Sequence, residues 1–246
     1  MTSNKRLTPK VLIVAMLSVW IAASTSACGL MRSPHERGVD YLNAGNYDQA
    51  YIAFSEAIDE ARAAGDDEQL AIAYANRSYA SDALGRHEEA VSDATASLEL
   101  VPDDPLVINN RGVAFLNMRK FDEAREDFDR AIELDPDYAE AYANRGRWHV
   151  GREDYVGALD DLDRAIELDS NLSMAFANRA VAHENLGNLE EALADFEWAL
   201  DLVEDPEVLF SRAMMLFRYA RYQEALEDFQ AVAEMSPESY TGYRAK

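Results

Sequence analysis

The sequence predicts an all-α solenoid of about six helix-turn-helix hairpins. A polar pair, Asn then Arg, stands at Asn76-Arg77, Asn110-Arg111, Asn144-Arg145 and Asn178-Arg179, each copy 34 residues after the last. Alanine recurs on nearly the same period, at Ala50, Ala90, Ala124, Ala158, Ala192 and Ala225. Four residues after each comes Phe54, Ala94, Phe128, Leu162, Phe196 or Phe229, and three further on Ala57, Ser97, Ala131, Ala165, Ala199 or Val232. A small, large, small triplet at i, i+4 and i+7 is one face of a helix, and self-similarity at this period is what stacked helical hairpins require. Composition agrees, because only 11 Gly and 7 Pro interrupt a chain of 246 residues rich in Ala, Leu and Glu, which favour helix.

The first segment, residues 1–27, has the three zones of an export signal. Lys5, Arg6 and Lys10 make a positive start, Val11 to Ala23 carries no charge, and the small residues Ser24, Thr25, Ser26 and Ala27 follow. Thirteen residues of helix cover about 20 Å, short of the roughly 30 Å of a bilayer core, so a retained transmembrane helix is disfavoured. Cys28, the single cysteine, comes next and allows no disulfide framework. Here the segment resembles a bacterial lipoprotein signal, with Thr25-Ser26-Ala27-Cys28 at the cleavage motif and Thr25 where leucine is usual. That resemblance implies a lipidated Cys28, and several acyl chains on one residue anchor a protein stably where one does not. The alternative is an ordinary secretory signal that leaves an unpaired thiol, a liability in an oxidising compartment. Gly29, in place of Asp, would in many Gram-negative lipoproteins give no inner-membrane retention, so the expectation is an outer-membrane lipoprotein facing the periplasm.

Residues 28–33 form a short tether, and the array runs over 34–237 in repeats at about 34–62, 71–102, 105–136, 139–170, 173–204 and 206–237. Gly45, Gly85, Gly187 and a slightly displaced Gly151 mark the turns inside hairpins, since glycine tolerates the backbone that ends a helix. Pro102, Pro105, Pro136, Pro206 and Pro237 mark breaks between them. Ser33-Pro34-His35-Glu36 and Asp137-Tyr138-Ala139-Glu140 match the capping box, and Asp104-Pro105 and Asp205-Pro206 set an acidic cap before proline. The first repeat lacks the Asn-Arg pair, and six extra residues follow it within Ala63 to Gln69. A tail, 238–246, follows Pro237; its Tyr240 and Tyr243, or a second copy of the chain, could cover the last helix's apolar face, which leaves the oligomeric state open.

These periods, small residues, ring positions and inter-repeat prolines resemble the tetratricopeptide repeat family. The resemblance implies a right-handed superhelix whose concave groove is lined by first helices and binds proteins or extended peptides. It places Asn76, Asn110, Asn144 and Asn178 as an amide ladder in that groove, able to pair with a peptide backbone; the other reading is that they bond neighbouring helix ends. Tyr79, Val113, Arg147, Val181, Met214 and Phe217 fall near the same face and suggest a largely apolar lining. One subfamily clamps acidic C-termini with lysines one turn before such asparagines, but those places hold Ile72, Leu106, Glu140 and Met174.

Sixteen residues after each arginine stands an aspartate: Arg77 with Asp93, Arg111 with Asp127, Arg145 with Asp161, Arg179 with Asp195, and Arg212 with Asp228. Each pair is expected to join the first helix of a repeat to its second and fix the hairpin's register. In the first repeat Arg37 meets Ala53 at the matching place.

Charge and chemistry exclude other classes. A net charge of -23 repels phosphate backbones, so nucleic acid is not a partner. Removing residues 1–27 strips three cations and no acid, taking the charge to -26; an anionic membrane repels such a body, so the lipid on Cys28 must hold it. His149 and His183 replace an aromatic in their first helices and read as packing; with no metal-binding spacing, phosphate loop or nucleophile elbow, neither enzyme nor cofactor is expected. The expected function is a protein-binding scaffold of the bacterial envelope, assisting assembly of a pilus or secretion complex, with docking of cell-wall hydrolases as the alternative and a hydrolase using His149 or His183 as the third.

Overall fold

The computed structural model describes residues 32–235, which form twelve α-helices and no strand. Residues 1–31 and 236–246, and with them the expected export signal, Cys28, Pro237 and the tail, lie outside the described residues. The helices are α1 Pro34–Asn43, α2 Tyr47–Ala64, α3 Asp67–Ala83, α4 His87–Leu100, α5 Pro105–Asn117, α6 Phe121–Leu134, α7 Ala139–Gly151, α8 Tyr155–Leu168, α9 Ser173–Asn185, α10 Leu189–Leu202, α11 Pro206–Arg218 and α12 Tyr222–Met235. The chain divides into two compact units, one ending at Asp127 and the other beginning at Phe128.

From α1 to α5 and from α7 to α12 each helix packs on the next, and first helices also pack on first helices, α3 with α5 and α7 with α9. The periodic alanines explain how. Ala50, Ala90, Ala124, Ala158 and Ala192 are fully buried, as are Phe54, Phe128, Leu162 and Phe196 four residues on. Helices 8–10 Å apart need small residues at the crossing and a large one in the adjacent hole. The first helix answers with a small residue directly after its arginine: Gly38, Ser78, Gly112, Gly146, Ala180 or Ala213. A Cβ on Gly38 would lie 2.5 Å from the Phe54 ring, and one on Gly146 2.6 Å from Leu162 Cγ. Where the facing residue is the smaller Ala94, Ser78 fits instead and its hydroxyl donates to the Ala90 carbonyl at 2.8 Å.

Several helix starts follow local chemistry, while α4, α7, α9 and α10 begin without a side-chain cap. Ser33 and Glu36 form a reciprocal capping box, Asp104 accepts from the Leu106 and Val107 amides, and Asp205 accepts from Glu207 at 2.7 Å. The box expected at Asp137 is not made. The cap of α7 is Tyr138, which offers no side-chain bond, and the Asp137 carboxylate accepts from Arg164 Nη2 at 3.2 Å.

Two turn expectations change as well. Gly45, Gly85 and Gly187 hold the left-handed conformation, but Gly151 is the last residue of α7 and Glu153 takes that conformation, at φ 61°. Arg119 and Ala220 do the same elsewhere. The six extra residues lengthen helices: α2 has 18 residues and α3 17, against 13 or 14 in α4 to α12. Helix α3 therefore begins at Asp67, not 71, because Gly65 turns the chain at φ 68° and Asp66 caps the Gln69 amide at 3.0 Å.

Candidate functional site

The arginines of the first helices meet the aspartates sixteen residues on in all five places. Arg77–Asp93, Arg111–Asp127, Arg145–Asp161, Arg179–Asp195 and Arg212–Asp228 are each bidentate, with Nε and Nη2 donating to the two carboxylate oxygens at 2.7 or 2.8 Å. The aspartates are buried and the arginines half-buried. A parallel fork of this kind fixes both direction and distance between two helices. The bond to the carboxylate raises each guanidinium's pKa above its ordinary value, outweighing the lowering by burial.

The third guanidinium nitrogen reaches back to the preceding repeat. Arg145 Nη1 donates to Asp129 at 2.8 Å, Arg179 Nη1 to Asp163 at 2.6 Å, and Arg77 Nη1 to the Ser55 hydroxyl at 3.1 Å. These partners sit two residues after the register position of their own helix, a spacing present in the sequence and readable only once neighbouring repeats are stacked. An aromatic ring one turn earlier lies beside the cation: Tyr74, Tyr142 and Phe176 have centroids 5.8, 5.7 and 5.5 Å from Arg77, Arg145 and Arg179. Without an aspartate at position 53, Arg37 pairs with Glu56.

The asparagines do not act alike. Asn178 Nδ2 donates to the Met174 carbonyl of its own helix at 2.9 Å, so that amide is turned onto α9. Asn144 also has a partner, and Asn76 and Asn110 are half-buried. Among the groove candidates, Tyr79 packs with Leu42, Phe54 and Ala80, meets the Tyr47 ring at 6.4 Å, and has its phenol pKa raised by burial. Val181 packs against the Phe176, Ala180 and Phe196 cluster. Val113 and Arg147 are half-buried, and Arg147 is engaged. Only Met214 and Phe217 of this set are exposed, and Met174, Phe210 and Trp198, the last stacked on Phe176 at 6.3 Å, are exposed besides.

His149 and His183 are half-buried polar groups, not rings sealed in the core. His149 Nδ1 lies 2.8 Å from Asp154 and its Nε2 3.6 Å from Asp161, while His183 Nε2 lies 4.0 Å from Asp195. Each thus sits over the carboxylate that the arginine four residues earlier already holds. Gly157 makes room, since a Cβ there would lie 2.5 Å from Asp154 and 2.9 Å from His149. Among the described residues no group of three His, Cys, Asp or Glu could hold a metal ion, and no helix is long and apolar enough to cross a membrane.

Family models described as "Tetratricopeptide repeat" match residues 71–104, 105–138 and 178–240, together more than half of the sequence. No curated protein matches it. Among solved structures, MamA residues 41-end from Desulfovibrio magneticus RS-1 is 23% identical over 68% of this chain and 95% of its own, with TM-score 0.55. A tetratricopeptide repeat protein from Parabacteroides merdae is 19% identical over 81% and 77%, TM-score 0.61. A chain of the APC/C hetero-tetramer Cut9-Hcn1 is 18% identical over 82% of this chain and 39% of that one, TM-score 0.71. At such identities the likeness establishes an all-α repeat solenoid.

Proposed function

The chain belongs to the tetratricopeptide repeat family, and from that premise we propose that it is a lipid-anchored scaffold that binds other proteins in the bacterial envelope. Repeats of this kind are scaffolds for protein–protein interaction. The observation that carries the reading is the distribution of chemistry: charged side chains recur in register and pair with one another, while Met174, Met214 and Phe217 on first helices remain open. A reaction centre needs a singular set of groups; a repeating polar frame with open apolar side chains suits an extended polypeptide partner. The export-type segment with Cys28 at its end supports attachment by lipid, and the charge of -23 supports holding by lipid in place of electrostatics. Assistance in building a pilus or secretion complex is the role we favour.

Two measurements test this. Mass spectrometry of the mature protein should find acyl chains on Cys28, and Cys28→Ser should release it from the membrane fraction; an unmodified, soluble wild type would refute the anchor. Affinity purification should return defined partners that are lost in Met214→Glu/Phe217→Glu while the circular dichroism stays helical. Partners retained by that variant would refute this surface.

A further inference from the structure

The apolar side chains left open on α11 stand in one line with an acid. Glu207, Phe210, Met214 and Phe217 lie at i, i+3, i+7 and i+10, so they share one side of the helix. Phe210, Met214 and Phe217 are 49%, 38% and 55% exposed, and Glu207 is exposed at the end where α11 begins. Their neighbours Val208, Leu209, Ala213, Met215 and Leu216 are buried, which fixes the direction in which the line faces. Edge-on ring contacts join it to α12, Phe210 with Phe229 at 5.7 Å and Phe217 with Tyr222 at 5.4 Å.

The charge around this line has one sign. From α9 to α12 the chain holds thirteen acidic residues and four arginines. Each of those arginines is in an ion pair: Arg179 with Asp195, Arg212 with Asp228, Arg218 with Glu184 and Arg221 with Glu224. Nine acids stand outside these four pairs. At the start of α11, Glu204 and Glu207 are exposed on either side of the capping Asp205, and no Lys or Arg stands between Glu204 and Ser211. A partner that brings a cation to this end is drawn in, and one that brings an acid is repelled.

We propose that this line binds an extended segment carrying a lysine or arginine with apolar side chains two and four residues away from it. This rests on the reading of the chain as a protein-binding scaffold and names the chemistry of its partner. From Glu207 to Phe217 the helix rises about 15 Å. Alternate residues of an extended chain face one way and are about 6.6 Å apart, so three of them, spanning about 13 Å, match that length. The cation meets Glu207, and the two apolar side chains lie against Phe210, Met214 and Phe217. A carboxylate in place of the cation meets like charge, which selects against acidic segments.

Fluorescence anisotropy with the full chain and labelled, serine-flanked probe peptides tests this. The probes are Lys-Ser-Leu-Ser-Phe, its reversed order, both with Glu in place of Lys, and Lys-Leu-Phe-Ser-Ser, which keeps the composition but sends its apolar side chains to opposite faces. One of the two orders is expected to bind at least about tenfold tighter than its Glu counterpart and the respaced peptide, an advantage that shrinks as sodium chloride rises. Phe217→Asp should remove that binding, Glu207→Gln should weaken it about threefold, and Glu99→Gln on α4 should leave it unchanged, all three variants keeping a helical circular dichroism spectrum. Failure of both orders to bind, a respaced peptide that binds equally well, or indifference to Phe217→Asp and Glu207→Gln would overturn the proposal. Equal affinity for the Lys and Glu peptides, lost in Phe217→Asp, would overturn the assigned chemistry and leave the surface standing, whereas partners retained by Met214→Glu/Phe217→Glu remove the surface itself. A concentration-dependent dimer that Phe217→Asp abolishes would also overturn it, since a second copy would then hold the face.

Discussion

Arg145 donates to Asp161 through two nitrogens and to Asp129 through a third, with the Tyr142 ring beside it. Because Asp161 is buried, removing either partner leaves a charge that water reaches poorly, and that penalty exceeds the net value of the bond. Arg145→Ala and Asp161→Ala are therefore expected to be strongly non-additive, with a coupling energy of about 1–3 kcal/mol in a double-mutant cycle read by urea unfolding. Strict additivity would show that the fork does not hold the hairpin. Glu184 is the opposite case. Burial raises its carboxyl pKa above the ordinary value, opposed by Arg218, so the charged form is disfavoured in the fold. A raised folded pKa means that the native state gains stability as pH falls from neutral through that pKa and the proton binds. Glu184→Gln should match or exceed the wild type in stability at pH 7, and lose that advantage as pH approaches the ordinary carboxylate range. An advantage that grew on acidification would have the wrong sign.

The helical hairpin is the element that repeats, and its turns are unevenly optimised. Glu153 and Ala220 sit at φ 61° where Gly45, Gly85 and Gly187 occupy the same station. A residue with a Cβ there costs about 1–2 kcal/mol, against a smaller gain from a less flexible unfolded chain. Glu153→Gly should therefore raise the unfolding free energy by about 0.5–1 kcal/mol in denaturant titration; a loss would mean that the Glu153 side chain contributes more than its backbone strains. Hairpin boundaries were legible because caps, prolines and the alanine period are local signals. Gly151 misled because glycine marks a turn only where the left-handed residue falls, and in this hairpin that residue lies two positions on, at Glu153.

On the scale of the whole molecule, charge opposes compactness. With 46 acidic and 23 basic residues, and the five buried aspartates already paired, the excess acid lies on the surface and repels itself. Moderate salt screens the repulsion between exposed charges more than about 10 Å apart at 0.1 M and leaves the partly buried forks less affected. The thermal midpoint is thus expected to rise between low salt and 0.2 M sodium chloride. A midpoint that fell would mean that screened attractive pairs outweigh the repulsion.

By itself the sequence determined the repeating two-helix unit and the partner of each register arginine. Both follow from the helical period, which converts spacing along the chain into a shared face. The tertiary structure alone decided that Arg145 and Arg179 also hold Asp129 and Asp163, that Asn178 turns onto its own helix, and that Tyr79 and Val181 join the core while Met214 and Phe217 stay open. Tyr79, Val113, Arg147, Val181 and Met214 occupy one position in the repeat; what differs is which side chains of the neighbouring helices stand over them, and exposure is a property of those neighbours in space.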